Sequence, residues 1–185
     1  MSLPVLVTIS GLPGSGTSTV ARAVAEALGI ERLDGGTVFR ALAAEHGLTL
    51  VEFGAQAERD PAIDLELDTR LAARAAAGDV VLESRLAGWI ATNEDLDATR
   101  VWIACAEDER AGRVGRRDAL DVDAALVANR DREASEAARY RTYYGVDIAD
   151  LSIYDLVVDS TTLPPPTIVE MILQKAGTDR FGPNG

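Results

Sequence analysis

The sequence predicts an α/β chain, a five-stranded parallel sheet covered by helices on both faces. Three observations carry that expectation. Short apolar runs alternate with longer stretches of helical periodicity. The stretch after the first run, Ser18 to Leu28, sets Val20, Ala21, Val24, Ala25 and Leu28 on one 3.6-residue face. A glycine-rich turn joins that first run to that first helix.

Taken in order, strands are expected at Val5 to Ser10, Glu31 to Asp34, Val80 to Glu83, Arg100 to Cys105 and Asp155 to Asp159. The first helix stops at Gly29. Between the second and third strands, helical pieces from Thr37 to Ala77 are interrupted by Gly47 and by Asp60-Pro61, which reads as an insertion rather than a simple crossover. His46, the single histidine, precedes Gly47 at a helix end, so a capping position is its plain role. After the fourth strand, the arginine-rich stretch Asp108 to Tyr144 reads as two helices joined near Asp118 to Asp123. Pro164-Pro165-Pro166 leads into a last helix, Thr167 to Ala176, because proline suits a helix start. One domain is expected over residues 1–176, with the insertion at about 37–77, and residues 177–185 are expected to form a mobile tail.

Composition narrows the class. No apolar run approaches the roughly 20 residues of a membrane span, and Met1 to Ser10 lacks the basic start of a signal peptide, so a cytoplasmic protein without a membrane partner is expected. Cys105 is the single cysteine and is expected in the core. A formal charge of −12 disfavours binding to nucleic acid. Lys175 is the only lysine, so an interior phosphate clamp must be built from arginine, whose planar fork grips phosphate oxygens in pairs.

The turn after the first strand runs Gly11-Leu12-Pro13-Gly14-Ser15-Gly16-Thr17-Ser18-Thr19 and enters a helix. This is the setting of a P-loop: glycines let the backbone turn so that successive N–H groups point at an anion near a helix N-terminus. Ser18 holds the hydroxyl position that ligates Mg²⁺ in such loops, and Thr17 stands where the motif has lysine. Glu83, closing the run Val80 to Glu83, is at the place of an acid that positions a magnesium-bound water. Arg40 and Arg85 follow the second and third strands, at the sheet edge where open α/β folds bind ligands. Two further groups, Arg110, Arg113, Arg116 and Arg117, then Arg130, Arg132, Arg139 and Arg141, suit either ligand contacts or surface pairs with nearby acids.

With these residues in view the chain resembles the archaeal-type cytidylate kinases, members of the P-loop nucleoside monophosphate kinases. The resemblance runs from Val5 to about Ile172. It rests on the loop from Ile9 to Val20, on Asp60 to Asp64, on Val81 to Trp89, on Arg130 to Ala137 with Arg139-Tyr140, and on Tyr144 to Val157. That family also tends to carry threonine where Thr17 stands. The resemblance implies a P-loop NTPase fold of three α/β/α layers with a monophosphate-binding insertion and an arginine-rich lid at about 113–132, acting as a monomer. It implies transfer from ATP to CMP or dCMP with Mg²⁺, Gly11 and Pro13 to Thr19 holding ATP, and Arg40, Arg85 and Ser135 holding the acceptor phosphate. Arg113, Arg117, Arg130, Arg132 and Arg139 would act on the transferring group. Two departures stand out. Where the family usually has an acid after Ser-Ala-Gly or Ser-Thr-Gly, this chain has Thr37 after Gly35-Gly36, and Ser84 replaces the glycine of Glu-Gly-Arg, which threatens to crowd the backbone near Arg85. A kinase for UMP, a sugar or an antibiotic hydroxyl, and a nucleotide-binding regulator without turnover, are the alternatives.

Overall fold

The computed structural model describes residues 4–180. Five parallel strands, β1 (Leu6–Gly11), β2 (Glu31–Asp34), β3 (Val80–Glu83), β4 (Thr99–Ala104) and β5 (Leu156–Asp159), pair in the order β2-β3-β1-β4-β5. β2 and β3 occupy the expected residues. β1 runs one residue past Ser10 because Gly11 still pairs with Ile103, and β4 starts at Thr99 opposite Val7.

Alternation along the strands builds the layers. Val7, Ile9, Val81, Val101 and Ile103 point to one face, where α1 (Thr17–Leu28) and α8 (Pro165–Arg180) cover them with Val20, Val24, Ile168 and Ile172. Leu6, Val80 and Leu82 point to the other face, against Leu71 and Ala75 of α4 (Pro61–Ala76), Ile90 of α5 (Ala87–Asn93) and Tyr140 of α7 (Val122–Tyr144). The period-2 pattern of the apolar runs thus yields three layers. α8 continues through Gly177 to Arg180, four residues into the stretch expected to be a tail, and residues 181–185 lie outside the described residues.

The segment between β2 and β3 folds as α2 (Gly35–Glu45), α3 (Leu50–Ala57) and α4, with a small core of its own around Leu42, Phe53, Ala57 and Ile63. Its breaks fall where the sequence places them. His46 is the C-cap of α2 and Gly47 follows at φ +67°. Asp60 caps α4, accepting from the Ala62 N–H, with Pro61 as the first helical residue. Beyond β4, α6 (Glu107–Asp118) packs beside α7. Cys105 is half-buried rather than in the core, because it lies just past β4, where its carbonyl accepts from Arg110.

The strand order reverses at β1: the chain leaves β1 for β2 and β3 on one side and for β4 and β5 on the other. A crevice at the carboxyl end of β1 follows from that topology, and the glycine-rich loop opens into it.

Candidate active site

The loop leaves β1 at Gly11 and turns through Ser15, whose N–H donates to the Leu12 carbonyl at 3.0 Å. Gly14 has φ +84°, and a Cβ there would lie 2.6 Å from the Arg110 carbonyl oxygen, so only glycine fits between loop and α6. α1 then begins with Gly16 as N-cap, with no side chain accepting from its first turn and no acid within it. Its leading N–H groups keep their capacity for an anion, and the helix dipole favours one.

At the mouth of this turn the Ser18 hydroxyl donates to Glu83 Oε1 at 2.5 Å, and Arg32 Nε donates to the other carboxylate oxygen at 3.0 Å. A hydroxyl and a carboxylate beside an anion-ready helix end form a hard oxygen donor set. Among the described residues no group of three or more His, Cys, Asp or Glu could hold an ion unaided. An ion here would draw the rest of its shell from water and phosphate oxygens, which is the habit of Mg²⁺.

The arginines divide by destination. Arg110 is buried and grips three elements: Nη1 donates to the Pro13 carbonyl at 3.2 Å and to Glu133 Oε1, and Nε donates to the Cys105 carbonyl at 3.2 Å. Arg113 lies against the loop. Its Nη1 donates to the Ser15 carbonyl at 3.4 Å and to Ser160 Oγ at 3.1 Å, its Nη2 donates to the Ser160 carbonyl at 2.7 Å, and its Nη1 would lie 3.6 Å from a Cβ on Gly16. Arg117 points away, paired with Asp118 and 65% exposed, and Arg130 pairs with Glu107 at 59% exposure. The helix face that the spacing of Arg110, Arg113, Arg116 and Arg117 suggests is therefore split between loop and solvent.

Arg85 follows β3 and sits between loop and α7. Its Nη1 donates to the Gly11 carbonyl, and its Nε donates to Glu136 Oε2 at 2.6 Å, while Arg132 Nε reaches Glu136 Oε1 at 2.8 Å. Burial works to discharge the Arg85 guanidinium, but Glu136 outweighs it and holds the pKa above the ordinary value. Burial likewise pushes Glu136 up, and Arg85 and Arg132 together keep it below the usual carboxylate range. Sequence reading takes Glu136 as one of the acids in ordinary surface pairs, whereas the structure buries it between Arg85 and Arg132; its spacing of four from Arg132 was the available signal.

Arg40 is 58% exposed, its Nη2 donating to Thr37 Oγ1 at 2.9 Å and facing Asp34 at 3.6 Å. The Thr37 hydroxyl in turn donates to Asp34 at 2.7 Å. Ser135 Oγ donates to Glu58 at 2.9 Å, and Arg139 Nε stands 3.3 Å from Asp64 Oδ2. Ser84 crowds Gly35 rather than Arg85: a Cβ on Gly35 would lie 2.8 Å from the Ser84 Cβ. Thus the loop, Ser18, Glu83, Arg113 and Arg85 meet at one sheet edge, Arg132 joins them through Glu136, and Arg117 and Arg130 do not.

The Cytidylate kinase-like family matches residues 6–162. The chain belongs to that family. It is 46% identical to a cytidylate kinase of Methanosarcina mazei over 83% of this chain and 86% of that one. It is 45% identical to a cytidylate kinase of Halobacterium salinarum over 91% and 87%. Solved structures agree on the fold: an uncharacterised protein of Eubacterium ventriosum superposes with a TM-score of 0.72 at 18% identity over 94% and 99% of the chains. Shikimate kinase of Acinetobacter baumannii gives 0.62 at 18% over 96% and 95%.

Proposed function

We propose that the protein transfers the γ-phosphoryl group of ATP to CMP or dCMP, giving ADP and CDP or dCDP. The observation that carries this reading is the meeting, at the carboxyl end of β1, of an uncapped α1 N-terminus with the Ser18–Glu83 pair on one side and Arg85, hydrogen-bonded to the Gly11 carbonyl, on the other. Donor and acceptor phosphates then face each other across the loop.

Gly11 and the backbone from Pro13 to Thr19 enclose the ATP phosphates, with their charge set on the helix end. Ser18 and, through a water, Glu83 would hold Mg²⁺, which when bound supplies positive charge to the terminal phosphates. Arg85, with Arg40 and Ser135 at the outer rim, orients the acceptor phosphate for in-line attack. Arg113 lends charge near the loop, and Arg132 and Arg139 line the acceptor side; Arg117 and Arg130 would have to leave their surface carboxylates to contribute. No general base is required, since a phosphate monoester is already ionised near neutral pH. A hydroxyl acceptor would want a free acid, whereas Asp34 already accepts from the Gly36 N–H and Thr37. The segment at about 37–77 then serves as the monophosphate-binding part and that at about 113–132 as the lid. The reading keeps the expectation of a monomer working in the cytoplasm.

The test is ADP release by purified protein over CMP, dCMP, UMP, AMP and GMP. CMP or dCMP is expected to exceed every other acceptor in kcat/KM by at least about tenfold, equivalent to about 1.4 kcal/mol. Equal turnover of UMP or AMP would overturn the assignment. Ser18→Ala is expected to shift the magnesium titration to higher concentration, and an unchanged titration would remove Ser18 from the metal site.

A further inference from the structure

The glycine-rich loop is braced by a residue far outside its own motif. Ser160, directly after β5 and 7% exposed, donates from its hydroxyl to the Ser15 carbonyl at 2.7 Å, across 145 positions of sequence. The same hydroxyl oxygen accepts from Arg113 Nη1 at 3.1 Å, and the Ser160 carbonyl accepts from Arg113 Nη2 at 2.7 Å. Ser160 is itself held from behind: its N–H donates to the Ala104 carbonyl at 2.9 Å, and the neighbouring Thr161 Oγ1 accepts from the Ala106 N–H at 2.7 Å. The brace therefore stands on the carboxyl end of β4, not on the loop.

One peptide unit depends on it most. The Ser15–Gly16 peptide is trans, so its carbonyl and its N–H point in opposite directions. With the carbonyl turned to Ser160, the Gly16 N–H faces away from Ser160 and Arg113. Gly16 has φ +92° and no Cβ, so the peptide before it meets little steric resistance to rotation. A rotated peptide would swing the negative end of its dipole to the side where an anion binds. The Ser160 hydroxyl opposes that rotation, and the Arg113 cation behind it polarises the O–H and strengthens the bond.

We propose that Ser160 is a positioning residue for the triphosphate, fixing the Ser15 carbonyl outward so that the Gly16 N–H is presented to the ATP phosphates. The inference rests on the reading of the loop as the ATP site and adds to it the residue that keeps the loop in its binding form. Without the hydroxyl, the Ser15 carbonyl keeps only the 3.4 Å contact with Arg113 Nη1. Arg113 itself retains the Ser160 carbonyl and Glu109, so its charge stays beside the loop.

The test is a comparison of the parent protein with Ser160→Ala: the KM for ATP, the KM for CMP and kcat, with binding of ATP and of inorganic triphosphate followed by calorimetry. The KM for ATP is expected to rise about tenfold and the affinity for inorganic triphosphate to fall by a similar factor, while the KM for CMP is unchanged and kcat stays within about threefold. An unaltered KM for ATP, or an equal rise in both KM values, marks Ser160 as a general structural residue and overturns the proposal. Weaker ATP binding with unchanged triphosphate binding sets Ser160 against the nucleoside instead, which overturns it as well. Should Ser160→Ala not fold, Ser160→Cys keeps the shape, substitutes a weak donor and decides by the same pattern. A parent protein that binds neither ATP nor triphosphate would refute the reading of the loop, and the proposal falls with it.

Discussion

Arg113→Ala is expected to lower kcat by about 10²-fold or more at saturating ATP and CMP, roughly 3 kcal/mol of transition-state stabilisation, as for other preorganised electrostatic groups. The reason lies in Thr17, which leaves the loop without the lysine charge that P-loops ordinarily bring to the transferring phosphoryl group. Among the described arginines of α6 and α7, Arg113 and Arg110 touch the loop. Arg110 has its charge taken by Glu133 and is buried, while Arg113, 29% exposed on its side chain and paired with Glu109 along its own helix, adjoins Gly16. Thr17→Ala is expected to be mild in comparison, since a neutral hydroxyl contributes a hydrogen bond of about 1 kcal/mol net. Steady-state ADP release by both variants, beside alanine variants of Arg116, Arg117, Arg130, Arg132 and Arg139, checks the order. If Thr17→Ala is the more damaging change, or if Arg113→Ala stays within a few-fold of the parent, the charge is supplied elsewhere.

Arg85→Ala is expected to damage stability and catalysis together. Removing one member of a buried ion pair leaves the other uncompensated, at a cost of about 3–5 kcal/mol. Arg132 still reaches Glu136 from the solvent side, being 60% exposed, so the loss is expected at the lower end of that range. Kinetically, the acceptor phosphate loses both charge and alignment, which raises the KM for CMP and lowers kcat. The Gly11 carbonyl also loses its partner, so the KM for ATP is expected to rise modestly, whereas Arg40→Ala, remote from the loop, leaves it unchanged. Denaturant unfolding and a two-substrate kinetic matrix separate the two effects. A variant with full stability and a normal KM for CMP would show that Arg85 is neither anchor nor acceptor contact.

Much of this arrangement was legible in the sequence where local chemistry decides. β2 and β3 are bounded by turn residues and read directly, and the α1 face is visible in its spacing because one side meets the sheet. α5 escaped because it spans seven residues, has no side-chain cap and buries Ala87, Gly88, Ile90 and Ala91 with no polar rhythm between them. The arginines show the limit most clearly. Spacing along α6 puts Arg110, Arg113 and Arg117 near one another, but which of them keeps its charge for a ligand depends on carboxylates delivered by other elements. Glu133 of α7 claims Arg110 and Glu136 of α7 ties Arg85 to Arg132, whereas Asp118 claims Arg117 from the next position of α6 itself. The pairs Arg110–Glu133 and Arg85–Glu136 join residues 23 and 51 positions apart and leave no local trace.

The contact between Gly35 and Ser84 bears on which pairs of side chains the two positions can hold together. The two positions share one space, and in this chain the Ser84 side chain fills it. With both side chains present, the Cβ atoms would stand 2.8 Å apart, closer than carbon atoms tolerate. With neither, a void of about a methyl group remains, at roughly 1 kcal/mol. The two positions are therefore coupled: Gly35→Ala is expected to destabilise the chain when made alone and to be tolerated when Ser84→Gly accompanies it, as denaturant unfolding of the single and double variants would read.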